Sequence, residues 1–300
     1  MQAAASHKSS EKGSTSNQFE VLRIDALSAI PWIVHGFSTR TGGVSTCYGG
    51  KSLNLGMTQH DAHANVERNR MLFEEALGAT NDEGTLWPRV QIKQVHSAII
   101  HRVGVQEKVP AGDGMITNIP GLLLTIKTAD CVPVLIADVS KRAVGTFHAG
   151  WRGTVSRIVE KGVGEMRRYF DSDPQDLHAA IGPCIRKCCY AVGVEVQTEF
   201  ESQFVYADEL FEKIFDSNNI RVRYPLLFLN QRPPSHAEVG TRIHLDLVAA
   251  NRRQLSDAGL PEDHIAVVDG CTACDTIRFF SHRAEFGKTG RMMAAIGIRL

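Results

Sequence analysis

The stretch TADCVPVLIADVSKRAVGTFHAGWRGT, residues 128–154, constrains the fold more than any other part of the sequence. It holds two apolar runs, residues 132–137 and 143–147, followed by a sequence typical of a helix start. Runs of consecutive apolar residues predict strands that are buried on both faces of a sheet. The chain must therefore cover both faces of such a sheet, and reactive side chains can reach solvent where its strands end.

The rest of the chain alternates between helix-like and strand-like segments. Apolar residues recur at three- and four-residue steps over residues 64–77 and 154–170, and Asp246 can cap a third helix that ends before Gly259. Apolar, β-branched runs predict five strands, which are residues 122–126, 134–137, 143–147, 265–268 and 292–298. No repeat or shift of composition divides the chain, so one mixed α and β domain is predicted over residues 19–300. The polar segment 1–18 lacks an apolar signal-peptide core and is expected to be a disordered tail.

Composition argues against several classes of protein. Lys and Arg together number 33, as do Asp and Glu, so the net charge is zero and little attraction to a nucleic-acid backbone is expected. No run approaches the roughly 20 apolar residues of a membrane helix. The first residues show neither a signal-peptide core nor the arginines of a transit peptide, so a cytoplasmic location is expected. The seven cysteines show no disulfide spacing, which predicts reduced thiols. Cys271 and Cys274 form a CxxC motif, while Cys184, Cys188 and Cys189 form a loose group, and both sets are interpreted as ordinary thiols.

Three residues with metal-binding side chains stand at or just beyond strand-like runs. They are His96, Cys131 and His148. Two imidazoles and one thiolate suit zinc, and three protein ligands are typical of a catalytic zinc site. The same spacing also fits hydrogen-bonded core histidines and a small apolar cysteine. The set would suit a blue-copper centre as well, but the chain contains no His-X-His pair from which a trinuclear copper cluster could be built.

Glycine-rich stretches next to cations are suited to bind an anion. In AGWRGT, the glycines allow close backbone approach, and Arg152 adds a forked cation beside a helix start. Arg40 lies in the similar stretch STRTGGVS, and Lys288 and Arg291 lie in GKTGR. Three such stretches favour a reaction that uses phosphate, although AGWRGT also fits a tight strand-to-helix turn whose arginine faces solvent.

Two aspartates lie near the same predicted strand ends. Asp113, between glycines in AGDGMIT, is a candidate acid or base, and an aspartate there also suits the backbone geometry of a turn. Asp130 precedes Cys131 and could orient a ligating imidazole. Both carboxylates are therefore candidates for roles around the three possible ligands.

Several motifs in fixed order resemble one known family. They are HGFSTRTGGVS, SLNLG, KQVHSA, DGMIT, TADCVPVLIAD, HAGWRGT, IGPCI, LDLVAANRRQL and FFSHR with TGR. The chain resembles the laccase-domain, or multicopper polyphenol oxidoreductase, family, which is also called the peptidoglycan-editing-factor family. The resemblance covers nearly the whole chain from His35 onward. It implies an α+β fold like that of necrotizing-factor catalytic domains, with two mixed sheets sandwiched between outer helices in four layers.

The resemblance also implies an activity and a ligand set. Family members are described as purine nucleoside phosphorylases that also have adenosine deaminase and methylthioadenosine phosphorylase activity. Their zinc ligands correspond to His96, Cys131 and His148, the residues that the strand ends had indicated, and copper is the alternative metal. Purine nucleosides and inorganic phosphate are then the expected reactants. Two positions depart from the family pattern: Ala191 replaces a glutamate and His282 a tyrosine.

Roles can be assigned to individual residues on this hypothesis. Phosphate is expected to bind Arg152 and the adjacent helix start, with Arg40 and Asn54 of SLNLG as further candidates. Asp113 is the candidate acid for the departing purine, or the residue that orients it. For deamination, a zinc-activated water would attack the purine carbon that bears the amino group.

Two other functions use the same residues. Cys131 as a nucleophile with His148 as base would give a hydrolase or deamidase of the peptidoglycan-editing type. Alternatively, the metal could be structural in a protein without enzymatic activity. That arrangement requires a closed shell of four ligands, with His282 as the extra donor.

Overall fold

The computed structural model describes residues 19–104, 110–215 and 241–300. The predicted tail, residues 1–18, lies outside these ranges. The strands within them are β1 (Val21–Leu22), β2 (Ile33–Ser38), β3 (Thr41–Ser45), β4 (Arg89–Gln91), β5 (Ile100–Arg102), β6 (Gly114–Thr117), β7 (Leu123–Thr128), β8 (Val132–Asp138), β9 (Ala143–Ala149), β10 (Leu177–Ile181), β11 (Ala191–Val192), β12 (Phe211–Phe215), β13 (Thr241–Leu245), β14 (Ile265–Val267) and β15 (Met292–Ile298). The α-helices are α1 (Asp25–Ser28), α2 (His63–Leu77), α3 (Trp151–Val155), α4 (Ile158–Phe170), α5 (Val194–Gln203), α6 (Ala207–Leu210) and α7 (Leu247–Asp257).

Two mixed sheets form the centre of the molecule. The first has the strand order β1-β2-β15-β7-β4, and β4 is parallel to β7 while the other neighbours are antiparallel. The second has the order β14-β10-β8-β9-β6-β5, with parallel pairs at its two edges. A small antiparallel sheet, β11-β13-β12, lies apart from both and was not predicted. Because strands distant in sequence become neighbours, residues from separate motifs meet at the ends of the sheets.

The buried side chains divide into layers. Side chains of β7 and β15, such as Ile126 and Ile296, pack against Leu135 and Val144 of the second sheet. The outer face of the first sheet packs against α2. The outer face of the second sheet packs against α4 and α7. The molecule is therefore a single α+β domain in which helices cover two facing mixed sheets, and the predicted class is confirmed.

Most of the predicted elements match the structure. Helix α2 ends at Leu77, followed by Gly78 in the left-handed conformation, and the Asp246 carboxylate accepts the Ala249 N–H at the start of α7. The prediction of one helix over residues 154–170 was wrong, because the chain breaks between α3 and α4 at Arg157, whose φ is 61°. The apolar pattern continues through both helices, so the sequence contains no signal for this break.

Over the described ranges, no helix combines the length and apolar character that crossing a membrane requires.

Candidate metal centre and its pocket

Three donor side chains meet at one end of the second sheet. The nitrogen or sulfur donor atoms of His96, Cys131 and His148 all lie within 4.8 Å of one another. The two imidazole rings are steeply inclined, with an interplanar angle of 73° and centroids 4.9 Å apart. His148 is buried, Cys131 is half-buried and His96 is exposed. The structure therefore brings together the three ligands indicated by the sequence, which we call the three-donor site.

Strand pairing places Cys131 beside the end of β9. The link between β7 and β8 is only three residues long, and Cys131 is its last residue. In the antiparallel register, Val132 pairs with Ala149 and Pro133 pairs with His148. Gly150 comes next, and a Cβ atom at this position would lie 3.0 Å from the Cys131 sulfur and 3.1 Å from a ring carbon of His96. A side chain at position 150 would therefore press on two of the donors, which would have to move by a few tenths of an ångström.

Asp113 fixes the orientation of His148. It immediately precedes β6, and its backbone carbonyl accepts the His148 N–H at 2.8 Å. Its carboxylate oxygen Oδ1 lies 2.8 Å from His148 Nδ1. With Nδ1 engaged in this way, Nε2 is the ring nitrogen left to act as a ligand.

The same carboxylate also holds the loop that carries His96. It accepts the backbone N–H groups of Val95 at 3.2 Å, His96 at 3.1 Å and Ser97 at 2.6 Å, and the Ser97 hydroxyl at 2.8 Å. Burial alone would raise the pKa of Asp113, but the bonds from His148 and Ser97 outweigh it and lower the pKa to about 2. Asp113 is fully buried and ionised, so it can orient donors but is poorly suited to give a proton to a substrate.

Cys131 and His148 shift each other's pKa in opposite directions. Burial raises the pKa of Cys131, but the positive charge of His148 and hydrogen bonds from both histidines outweigh it, so the net shift is downward. Burial lowers the pKa of His148, while the Cys131 charge and the Asp113 hydrogen bond shift it upward overall. The geometry thus favours a thiolate, which is the form of cysteine that binds a metal or acts as a nucleophile.

The sequence suggested that Asp130 orients a ligating imidazole, but in the structure its carboxylate has other partners. Its carboxylate accepts the hydroxyls of Thr272 and Ser281, each at 2.7 Å, and the Arg283 N–H at 2.6 Å. Its φ of 92° is in the left-handed region, which costs about 1–3 kcal/mol for a residue other than glycine. These bonds fix the turn before Cys131 to the loop between β14 and β15.

A cavity of about 520 Å³ opens beside the three-donor site. Its lining residues come from seven segments of the chain, and they are Gly56, Met57, Thr58, Lys93, Gln94, His96, Lys127, Thr128, Ala129, Asp130, Cys131, His148, Tyr190, His282, Arg283 and Arg291. Four of them are lysines or arginines, whereas Asp130 is the one carboxylate, and its oxygens already accept three hydrogen bonds. This distribution of charge suits an anionic ligand.

The other residues predicted to bind phosphate lie elsewhere. Arg40 donates to the Thr276 carbonyl at 2.9 Å and forms an ion pair with Glu285 at 2.7 Å, so its guanidinium is already engaged. Arg152 is exposed, and its guanidinium lies over the Trp151 ring, 4.3 Å from the centroid. Neither arginine is among the residues that line the cavity.

Asn54 is placed behind the pocket wall. It is fully buried, and its Oδ1 atom accepts the Arg291 N–H at 2.9 Å and the Gly56 N–H at 3.1 Å. Arg291 and Gly56 both line the cavity. The position of Asn54 therefore suits a residue that supports the wall, without contact with a ligand.

Several pocket residues were missed by the site assignment from sequence. Lys127 lies in β7 directly after the predicted apolar run 122–126, where nothing in the pattern marks it as a ligand-binding residue. Tyr190 and Arg283 belong to loops that strand order brings to the pocket, and no local motif shows this. The GKTGR stretch was predicted to suit an anion, and its Arg291 lines the cavity. His282 also lines the cavity, but it is not one of the three donors that lie within 4.8 Å of one another.

Comparison with known proteins agrees with this geometry. A family model described as "Multi-copper polyphenol oxidoreductase laccase" matches residues 34–299. Purine nucleoside phosphorylase YlmD of Geobacillus stearothermophilus is 35% identical, and the alignment covers 88% of this chain and 92% of that protein. Adenosine deaminase RL5, from an unknown prokaryotic organism, is 32% identical over 88% of this chain and 93% of its own length.

Solved structures show the same fold. The hypothetical protein YfiH of Bacillus licheniformis superposes with a TM-score of 0.75 at 33% identity, covering 89% of this chain and 93% of that one. YlmD from Geobacillus stearothermophilus gives a TM-score of 0.70 at 34% identity, covering 90% and 93% respectively. The sequence match and the shared fold together show that this chain belongs to the multi-copper polyphenol oxidoreductase laccase family, as its motifs had indicated.

Proposed function

We propose that this protein is a zinc-dependent purine nucleoside phosphorylase that also deaminates adenosine. The observation that carries the proposal is a three-donor site beside a cavity of about 520 Å³ that is rich in cations. Relatives named purine nucleoside phosphorylase and adenosine deaminase align over nearly the whole chain, which supports both reactions. Adenosine, inosine and methylthioadenosine are the proposed nucleosides. The proposed location is cytoplasmic.

The three donors suit a single zinc ion. They combine two imidazoles with a thiol that is shifted toward the thiolate, and the Asp113 bond fixes the tautomer of His148. Copper is the alternative ion for the same donors. A zinc ion held here would supply Lewis acidity at the edge of the pocket.

Phosphate is proposed to bind between Lys127 and Arg291. Both line the cavity, and in the described part of the chain neither forms an ion pair with a carboxylate. Burial, together with the charges of Arg70 and Arg291, lowers the pKa of Lys127. A bound anion would relieve this repulsion and replace the missing counter-charge. Arg152, the phosphate ligand expected from the sequence, is the alternative to Lys127 and Arg291.

The pocket residues would then position the two reactants. In phosphorolysis, a phosphate oxygen forms a bond to the anomeric carbon of the ribose while the bond from that carbon to the purine nitrogen breaks. The base leaves with the electron pair and takes up a proton, and the products are the free purine and ribose 1-phosphate. Lys127 and Arg291 would hold the phosphate, while Tyr190 offers a hydroxyl to the nucleoside. The Gln94 amide is paired with the backbone of Lys127 and would hold that residue in place.

A second candidate function follows from the pairing of Cys131 with His148. A thiolate at Cys131 next to an imidazolium at His148 is also the arrangement of a cysteine hydrolase or deamidase. In that case the thiol would be free and alkylated quickly, and a chelator would have no effect. In the zinc enzyme, the metal would mask the thiol.

The direct test uses purified protein with a measured zinc and copper content. It is incubated with adenosine, inosine and methylthioadenosine, each with and without phosphate. Free base that appears only when phosphate is present indicates phosphorolysis, and inosine formed from adenosine in either condition indicates deamination. Absence of both products from zinc-loaded protein would refute the proposal. Turnover that survives complete removal of the metal would refute the role of zinc.

A pair of variants locates the phosphate site. Arg291→Met is expected to raise the KM for phosphate at least about tenfold while deamination changes little, because deamination uses no phosphate. Arg152→Met is the matched control, in which an arginine outside the cavity lining is removed. The reverse pattern, with only Arg152→Met affected, would return the phosphate role to Arg152 and its helix start.

A further inference from the structure

A second group of sulfur atoms lies on the surface near the pocket. Cys188 and Cys189 belong to the loop between β10 and β11, and Cys271 and Cys274 to the loop between β14 and β15. All four sulfur atoms lie within 4.8 Å of one another. The Cys274 sulfur is 3.2 Å from that of Cys189 and 3.5 Å from that of Cys188. Two loops more than 80 residues apart in sequence thus bring four thiols to one point.

From this convergence we infer a second metal site, in which one zinc ion is bound by the four thiolates of Cys188, Cys189, Cys271 and Cys274. These residues are called the four-cysteine site below. A tetrahedral ion with Zn–S bonds of about 2.3 Å holds its sulfur atoms about 3.8 Å apart, which lies within the observed range. The sulfurs are too close together for a bridged iron–sulfur cluster, whose inorganic sulfides would separate them further.

The backbone around Cys271 has the form of a metal-binding turn. The Cys271 carbonyl accepts the N–H groups of Cys274 at 3.2 Å and Asp275 at 3.1 Å, which closes the CxxC turn. The Cys271 sulfur accepts the Arg186 N–H at 3.4 Å. N–H groups directed at a sulfur stabilise a thiolate and orient it toward an ion.

The two loops are held together without the ion. Cys184 and Cys271 form an isolated parallel bridge, and the Thr272 N–H donates to the Cys184 carbonyl at 3.1 Å. The Arg186 guanidinium donates to the carbonyls of Gly270 at 3.0 Å and Val268 at 2.5 Å. The four thiols are therefore carried on a preorganised frame, and the cation of Arg186 lies on the same loop as two of the ligands.

The site has a consequence for the neighbouring pocket. Tyr190 directly follows Cys189, and His282 and Arg283 lie on the same loop as Cys271 and Cys274; all three of these residues line the cavity. A zinc ion bound by four thiolates would crosslink the two loops that form this wall. This consequence depends on the proposed function, whereas the metal site itself does not.

The decisive experiment removes the three-donor site and counts the ions that remain. The full-length chain is expressed with zinc, purified without chelator and analysed for metal as wild type, Cys131→Ala and Cys131→Ala/Cys274→Ser. About two, one and zero zinc ions per chain are expected, respectively. Cys131→Ala/Cys47→Ser is the matched control and should keep one ion, because Cys47 lies outside both sites. Cys274 is exposed, so its replacement by serine should leave the fold intact.

A spectroscopic readout identifies the ligands. Cobalt added to metal-free Cys131→Ala protein should give the visible bands of a tetrahedral ion and strong sulfur-to-cobalt charge transfer, and Cys274→Ser should weaken the latter. Cys131→Ala protein that binds neither zinc nor cobalt would overturn the inference. So would iron in place of zinc, or a disulfide between Cys189 and Cys274 found in protein purified under reducing conditions. Zinc in this site with no nucleoside turnover would refute the proposed function and leave the metal site standing.

Discussion

Within residues 19–104, 110–215 and 241–300, two clusters of metal-binding side chains differ in their donor atoms and in their position. The three-donor site mixes nitrogen and sulfur, lies where the sheet strands end and borders a cavity. The four-cysteine site contains sulfur alone and is built on surface loops. Three protein ligands leave an ion able to act on a substrate, whereas four saturate it. The number of donors and their location thus separate a proposed catalytic role from a proposed structural one.

The largest effect is expected when the sulfur ligand of the three-donor site is removed, with the four-cysteine site as the comparison. Cys131→Ala should abolish phosphorolysis and deamination together, because both are proposed to use the same ion. Cys274→Ser should leave most of the turnover of both reactions. Steady-state rates with adenosine, with and without phosphate, provide the measurement. If either reaction survives at full rate in Cys131→Ala, the two activities do not share a metal site.

The next effect concerns the carboxylate that supports the three-donor site. Asp113→Asn should reduce zinc affinity and turnover by about 10- to 100-fold, because Asp113 orients His148 and fixes the His96 loop. Competition with a chromophoric chelator measures the affinity. Asp138→Asn is the matched control: this carboxylate is also fully buried, but it caps the turn at the other end of β8. Equal losses of affinity in both variants would show that Asp113 has no specific role.

A smaller effect tests how closely the donors must approach. Gly150→Ala places a methyl group about 3 Å from the Cys131 sulfur and a His96 ring carbon, so the donors must shift by a few tenths of an ångström. Turnover is expected to fall about fivefold, given that a misplacement of 1 Å costs about 100-fold. Gly164→Ala is the control, since no atom lies within 4 Å of the added carbon on helix α4. Unchanged activity in Gly150→Ala would mean that the site tolerates such a displacement.

The smallest effect on turnover is expected at the four-cysteine site, where stability is the better readout. Loss of its zinc in Cys274→Ser should lower the melting temperature by several degrees, because each kcal/mol corresponds to about 2–4 °C in a domain of this size. Nucleoside KM should rise by less than about tenfold as the pocket wall loosens. Calorimetry of wild type, Cys274→Ser and the control Cys47→Ser measures the three melting temperatures. A melting curve identical to that of the wild type would argue against a structural ion.

The two sites also differ in how far the sequence predicted them. The apolar runs 132–137 and 143–147 predicted buried strands, and both strands are present. Cys131 and His148 stand at the ends of these runs, which is why the sequence identified them as candidate metal ligands. Lys127 was missed because it follows the apolar run 122–126 and no local motif marks it. Asp130 was assigned the wrong partner because its contacts come from a loop about 150 residues away. The four cysteines were interpreted as ordinary thiols, since neither loop alone contains a complete ligand set. Their convergence depends on β10 pairing with β14, which local pattern does not reveal.

The hydrogen bonds of Asp113 hold two of the three donors in position. Because one carboxylate holds both His148 and the His96 loop, two of the three donors are already in place once β6 has paired with β9. A metal ion would then bind donors that are already ordered. Little binding free energy would be lost in ordering the polypeptide. Capture of the ion should accordingly be fast, and apoprotein and holoprotein should show almost the same backbone in this corner of the sheet.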